Sequence, residues 1–150
     1  MHYEIMNQKE KIIVGLTART GNLDPECKKT IGGLWQDFMG NHVIDSIQNK
    51  ANSFCIGLYS SYDFHDMTYD VTVGCEVTEN NNPDLTLRTL PAGRYAMFRV
   101  YGDVVEDVSK AWDAIWELPL ERSFSGDYEE YISNENGKAE VNIYIALKNE

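Results

Sequence analysis

The chain has 150 residues, 43% hydrophobic and 11% aromatic, with 24 acidic against 13 basic side chains and a formal net charge of −11. That is one domain's length with enough apolar content for a core, and the acidic excess without a clustered Lys/Arg footprint excludes a direct grip on nucleic-acid backbones. No stretch is long and apolar enough to span a membrane and the first residues lack a basic, signal-like start, so a cytoplasmic protein is expected, one that attracts cationic ligands or basic protein patches.

Residues 11–19 are rich in β-branched side chains and read as a first strand. Asp24 is placed to cap, and Pro25 to open, a helix. Its apolar stripe is Ile31, Leu34, Trp35 and Phe38, and its stop is Gly40. Inside that helix Gly32-Gly33 costs roughly 1 kcal/mol per residue relative to Ala; the pair reads as room for tight packing on a sheet. Residues 54–59 and 69–77 follow as strands. In the second, Tyr69, Val71, Val73, Cys75 and Val77 alternate with polar or small residues. A turn-rich connector over residues 78–83 leads to strands at 85–90 and 94–101. The next helix opens at Gly102-Asp103 and ends at Pro119, with Val105, Val108, Trp112, Ile115 and Trp116 as its stripe. The order strand-helix-strand-strand thus occurs twice, over about residues 1–79 and 84–150. An α+β fold is expected over residues 1–150 as a single domain: an antiparallel sheet with two main helices and a central groove where the repeats meet.

The last hairpin carries the candidate site. Residues 127–133 and 139–147 flank Asn136-Gly137, a dipeptide suited to a tight turn with positive φ at both central positions. With those two as the turn, Glu129 falls opposite Tyr144 and Tyr131 opposite Asn142 on one face. Tyr128–Ile145, Glu130–Ile143 and Ile132–Val141 pair on the other. An acid flanked by two tyrosines makes a binding site where its face is roofed over. A slip of one residue exchanges the roles of Glu129 and Glu130. On this register Val141, Ile143, Ile145 and Leu147 form the main core on the face away from Glu129, so helices or a curled sheet must cover the acid.

Other chemistry is sparse. His2, His42 and His65 lie far apart, and no triad, metal-ligand spacing or phosphate-cradling glycine loop is present; no cofactor or metal is expected. Cys27, Cys55 and Cys75 form an odd, scattered set and read as buried free thiols in a reducing compartment, ahead of zinc or disulfide use.

The segment Leu90-Pro91-Ala92-Gly93-Arg94-Tyr95-Ala96-Met97-Phe98, followed by Gly102, resembles the hydrophobic-Pro-Ala-Gly-x-Tyr-Ala-x-Phe segment of the GyrI-like (gyrase-inhibitor-like) small-molecule-binding domains. These domains also serve as effector-binding domains of AraC- and MerR-type multidrug-responsive regulators. Leu34-Trp35-Gln36-Asp37-Phe38, Ile56-Gly57-Leu58-Tyr59, Tyr69-Asp70-Val71-Thr72-Val73-Gly74 and Tyr128-Glu129-Glu130-Tyr131 match in the same order. The resemblance implies duplicated SHS2-type (strand-helix-strand-strand) modules whose groove admits flat, hydrophobic, often cationic compounds. It implies that Glu129 meets the ligand's positive charge, that Tyr144 on the last strand and Tyr131 join it, and that Trp35 lines the groove. Tyr59 and Tyr69 are looser matches, and Phe38 lies in the matching helical segment.

Three functions follow. The first is a stand-alone binding protein that senses or sequesters an amphipathic aromatic cation; the related regulators carry a helix-turn-helix domain for which these residues leave no room. A carboxylate among rings offers such a cation a charge partner and π faces, worth roughly 0.5–2 kcal/mol per ring. Trp35, Trp112 and Trp116 lie at core spacing, and each taken singly is more often core than ligand platform. The second is hydrolysis of reactive alkylating compounds with Glu129 as general base. The third is an acidic module docking on a regulator or a topoisomerase, which needs its acids on one face, whereas the sequence spreads them.

Overall fold

A computed structural model describes residues 1–149; Glu150, the end of the expected domain, lies outside the described residues. These residues form eight strands and three helices: β1 (Glu4–Gln8), β2 (Lys11–Thr20), α1 (Cys27–Gly40), α2 (Val43–Ser46), β3 (Cys55–Asp63), β4 (Thr68–Val77), β5 (Thr86–Leu90), β6 (Gly93–Asp103), α3 (Glu106–Glu117), β7 (Asp127–Glu135) and β8 (Lys138–Ala146). The strands make one antiparallel sheet in the order β1-β6-β8-β7-β3-β4-β2-β5. β2-α1-β3-β4 and β6-α3-β7-β8 are the two expected repeats. They meet at the centre, where the second strands of the repeats, β3 and β7, pair. Each repeat also lends its leading strand to the other: β1 pairs with β6, and β5 with β2.

That exchange bends the sheet. β1 and β2 are six strand positions apart but joined only by Lys9 and Glu10, and β5 and β6 are equally far apart but joined by Pro91 and Ala92. Six positions in a flat sheet span about 29 Å, whereas a two-residue link reaches at most about 11 Å. The sheet therefore curls until its edges approach. Its inner face packs on itself through residues such as Ile13, Leu58, Leu90, Tyr95 and Tyr128, with no helical residue in that cluster. The helices cover the outer face. Phe38 of α1 packs with Val14, Val73 and Cys75, and Val108, Ala111 and Ile115 of α3 pack with Phe98, Val141 and Ile143.

Several local expectations change. β1 carries too few apolar residues to announce itself and forms because β6 offers it an unpaired edge. α1 starts at Cys27, and Asp24 accepts from the Glu26 amide at 2.9 Å instead of capping the helix. A Cβ built on Gly32 or Gly33 meets nothing within 4 Å, so this pair is not a tight-packing device. Of the expected stripe of the second helix, Val105 falls just before α3 and is exposed, as is Trp116 on it.

The largest correction is in the hairpin. Asn136 and Gly137 do take positive φ, 54° and 77°, and the expected pairing holds next to the turn, with Asn134 opposite Ala139. A bulge between Tyr131 and Ser133 then inserts one residue. Beyond it Tyr128, not Glu129, stands opposite Tyr144, and Glu129 stands opposite Ile143. The Ile143 face is therefore the face of Glu129, and α3 roofs both.

Candidate ligand-binding site

Glu129 projects from β7 at the centre of the outer sheet face, between α1 and α3, and is only 3% exposed. Three side chains donate to its carboxylate. The Trp112 indole Nε1 reaches Oε2 at 2.7 Å, the Tyr131 hydroxyl reaches Oε1 at 2.8 Å, and the Tyr59 hydroxyl reaches Oε2 at 3.3 Å. Aromatic rings pack around these donors edge to face. Trp35 lies 4.9 Å from Tyr131 between ring centres, and Tyr59 lies 5.3 Å from Trp112 and 5.6 Å from Tyr69. α1 thus supplies Trp35, α3 supplies Trp112, and β3, β4 and β7 supply the tyrosines.

Space for the carboxylate comes from β3. Gly57 stands directly opposite Glu129, and a Cβ there would lie 2.9 Å from Glu129 Oε1 and 3.3 Å from Trp35 Cζ2. Any larger residue would enter the box.

The electrostatics of the two acids on this face of β7 differ. Asp127, fully buried, is neutralised: Arg122 Nη2 lies 2.6 Å from its Oδ2, the Tyr62 hydroxyl donates to the same oxygen at 2.6 Å, and the Ala146 amide donates to Oδ1 at 2.8 Å. Glu129, two residues on, receives only neutral donors. Burial pushes its carboxyl above the ordinary glutamate range, against the lowering effect of its three hydrogen bonds. Burial also raises the phenols of Tyr59, Tyr69 and Tyr131, reinforced by the Glu129 charge at Tyr59 and Tyr131 and chiefly by Cys27 at Tyr69, so all three stay protonated at neutral pH.

Of the residues singled out in the sequence, Glu129, Tyr131, Trp35, Tyr59 and Tyr69 come together here. Phe38 stands behind them, fully buried, with its ring 6.4 Å from Trp35 and nearly perpendicular to it. Tyr144 does not share this space. The bulge turns it to the inner face, where it stacks on Tyr128 at 4.6 Å and 11°. Glu130 also faces inward, near Lys11 and Glu76. Two members of the box were not identified from the sequence. Trp112 was read as core because it sits in the apolar stripe of α3. Gly57 did leave a signal, since an isolated glycine inside a strand often marks a close approach.

The family model for integron-associated effector binding proteins, Cass2, matches residues 4–147. The chain belongs to this family. The Cass2 match and the GyrI-like resemblance agree on the fold. Among solved structures, SAV2435 bound to tetraphenylphosphonium is similar over 99% of this chain and 94% of its own, with a TM-score of 0.82 and 17% identity. The integron cassette protein VCH_CASS2, from the mobile metagenome of Vibrio cholerae, is 24% identical with a TM-score of 0.77, covering 97% of this chain and 95% of its own. The C-terminal domain of EcmrR is 13% identical with a TM-score of 0.58, each chain covering 100% of the other. At these identities the likeness carries the fold. No curated protein sequence matches. Among the described residues no helix is long and apolar enough to cross a membrane.

Proposed function

We propose that this Cass2-family chain binds an amphipathic aromatic cation, with Glu129 as the charge partner and Trp35, Trp112, Tyr59, Tyr69 and Tyr131 as the surrounding rings. One observation carries the reading: a 3%-exposed glutamate, held by one indole and two phenols, has no cation beside it among the described residues, while Asp127 on the same strand face has Arg122. A buried carboxylate without a counter-charge is costly, and a delocalised cation supplies that charge at a lower dehydration cost than an ammonium. The rings add cation–π contacts and no strict hydrogen-bond code, so several ligand shapes fit. The structure of SAV2435 with tetraphenylphosphonium supports the same ligand chemistry. In the structure the aromatic rings close on Glu129, so binding requires them to part.

Binding is favoured over hydrolysis because Glu129, 3% exposed and walled by aromatic rings, suits an apolar, delocalised cation better than the polar water that a general base must hold. The test is a titration of tryptophan fluorescence with tetraphenylphosphonium. A saturable change is expected, weakened about 30-fold or more by Glu129→Gln, or about 2 kcal/mol. Equal affinity of the two proteins would sink the proposal.

A further inference from the structure

β3 and β4 bring together two cysteines that the ligand site does not use. Ile56 pairs with Gly74, and one step further along the same register Cys55 stands opposite Cys75. Both side chains lie on the outer face, in the cluster around Phe38 and Val14. Directly opposed residues on antiparallel strands have Cα atoms about 4.5 or 5.5 Å apart, within the roughly 4.4–6.8 Å that a disulfide spans. We propose that Cys55 and Cys75 are a peroxide-responsive dithiol that closes to a disulfide across β3 and β4 when a hydroperoxide reaches Cys55.

The two thiols have different environments, as nucleophile and resolving partner require. Cys75 is 1% exposed, whereas Cys55 at the start of β3 is half-buried. The hydrogen bond from Cys75 lowers the Cys55 thiol to about 7 against the effect of burial, and Lys50 adds a further lowering charge. The same hydrogen bond, together with burial, raises Cys75. The lowered thiol of the pair, Cys55, is thus the one that more readily gives the thiolate that attacks peroxide.

The step balances. The Cys55 thiolate attacks one peroxide oxygen; an S–O bond forms, the O–O bond breaks, and the departing hydroxide or alkoxide takes a proton. Cys75 then attacks the sulfur of the Cys55 sulfenic acid, losing its proton as the S–S bond forms and the S–O bond breaks, and water leaves. The sulfur pair gives up two electrons and the hydroperoxide takes them. Tyr131 stands opposite Cys55 on β7, so the dithiol lies beside the aromatic box, but the chemistry does not depend on any ligand there.

The experiment uses the whole chain and hydrogen peroxide, read by intact mass and non-reducing peptide mapping. Expected are the loss of two hydrogens, a cross-linked peptide joining Cys55 to Cys75, and reversal by dithiothreitol. With Cys75→Ser, Cys55 should stop at a sulfenic acid that dimedone traps; with Cys55→Ser, Cys75 should remain a thiol. Where either variant fails to fold, the wild-type chain decides by iodoacetamide labelling after a brief peroxide pulse: Cys55 and Cys75 should lose labelling together while Cys27 keeps it. A product that leaves Cys75 free in the wild-type chain, or loss of Cys27 labelling ahead of Cys55, overturns the proposal.

Discussion

Substituting Gly57 by alanine tests the aromatic box with a single methyl group. Gly57 lies in the middle of β3 with ordinary extended backbone, where alanine is at least as well tolerated, so the change acts through space alone. The added carbon would stand 2.9 Å from Glu129 Oε1 and 3.3 Å from Trp35 Cζ2. Neither neighbour yields freely. The carboxylate oxygen is held at 2.8 Å by Tyr131, and the indole packs on the same tyrosine ring. Overpacking of this kind costs about 1–3 kcal/mol, which for a chain of this length lowers Tm by roughly 2–10 °C. A ligand cation must use the space that the methyl takes, so tetraphenylphosphonium affinity should fall by about tenfold, or about 1.4 kcal/mol. Calorimetric titration of the folded variant measures the second effect, and differential scanning calorimetry the first. A lower Tm with unchanged affinity would show that Gly57 and Glu129 only pack, and the box would lose its standing as the ligand site.

Glu129→Gln should raise Tm at neutral pH, because burial holds the folded carboxyl above its unfolded value and ionisation therefore works against folding. That gain should be absent below about pH 4, where both states hold the proton, should grow as pH rises from there to the folded value, and should level off above it; a gain independent of pH would contradict the assignment. Trp112→Phe removes the 2.7 Å donor to Glu129 and should weaken tetraphenylphosphonium about tenfold, whereas Tyr144→Phe, on the opposite face, should leave it within twofold; fluorescence titration reporting the reverse order would restore the bulge-free register. Arg122→Met leaves Asp127 fully buried without its cation and should lower stability by about 3–5 kcal/mol in denaturant unfolding, much of it recovered when Asp127→Asn is added; a single variant as stable as the parent would show that the pair contributes little. A dication of similar ring area should bind at least about tenfold more weakly than tetraphenylphosphonium, since one carboxylate neutralises one charge and the other stays buried and unpaired. Equal binding would mean that Asp127 gives up Arg122 to the ligand.

The duplicated α+β order was legible because each repeat writes its strands in period two and its helix in period 3.6 around unmistakable breakers such as Asn136-Gly137 and Pro119. Glu129, Tyr131 and Trp35 were legible through the motifs that carry them. The position of Tyr144 was not. The turn does set the register it promises, but only as far as Ser133, and nothing in Tyr131-Ile132-Ser133 marks the extra residue. A bulge leaves hydrophobic alternation intact on either side of itself, so its only sequence trace here was a conflict: a main core placed on the face away from the acid. The curl of the sheet was hidden for a different reason. It follows from which strands the two-residue links join, and that is a matter of pairing order rather than composition.

The pairing of β3 with β7 explains why the site holds one acid. These strands are the same element of the two repeats, and Gly57 stands directly across from Glu129 at the middle of their paired stretch. An acid on both strands would set two carboxylates face to face in a space walled by rings, and one of them would have to stay protonated. Glycine on one side admits a single carboxylate and leaves it room. The helices, by contrast, are not paired with each other, and each repeat contributes a tryptophan, Trp35 and Trp112, without conflict. The duplication therefore doubles the aromatic walls but not the charge. The second acid on that face, Asp127, stands opposite Tyr59 and keeps Arg122, so in the proposed binding mode Glu129 is the acid that the described residues of the box leave for a cation to meet.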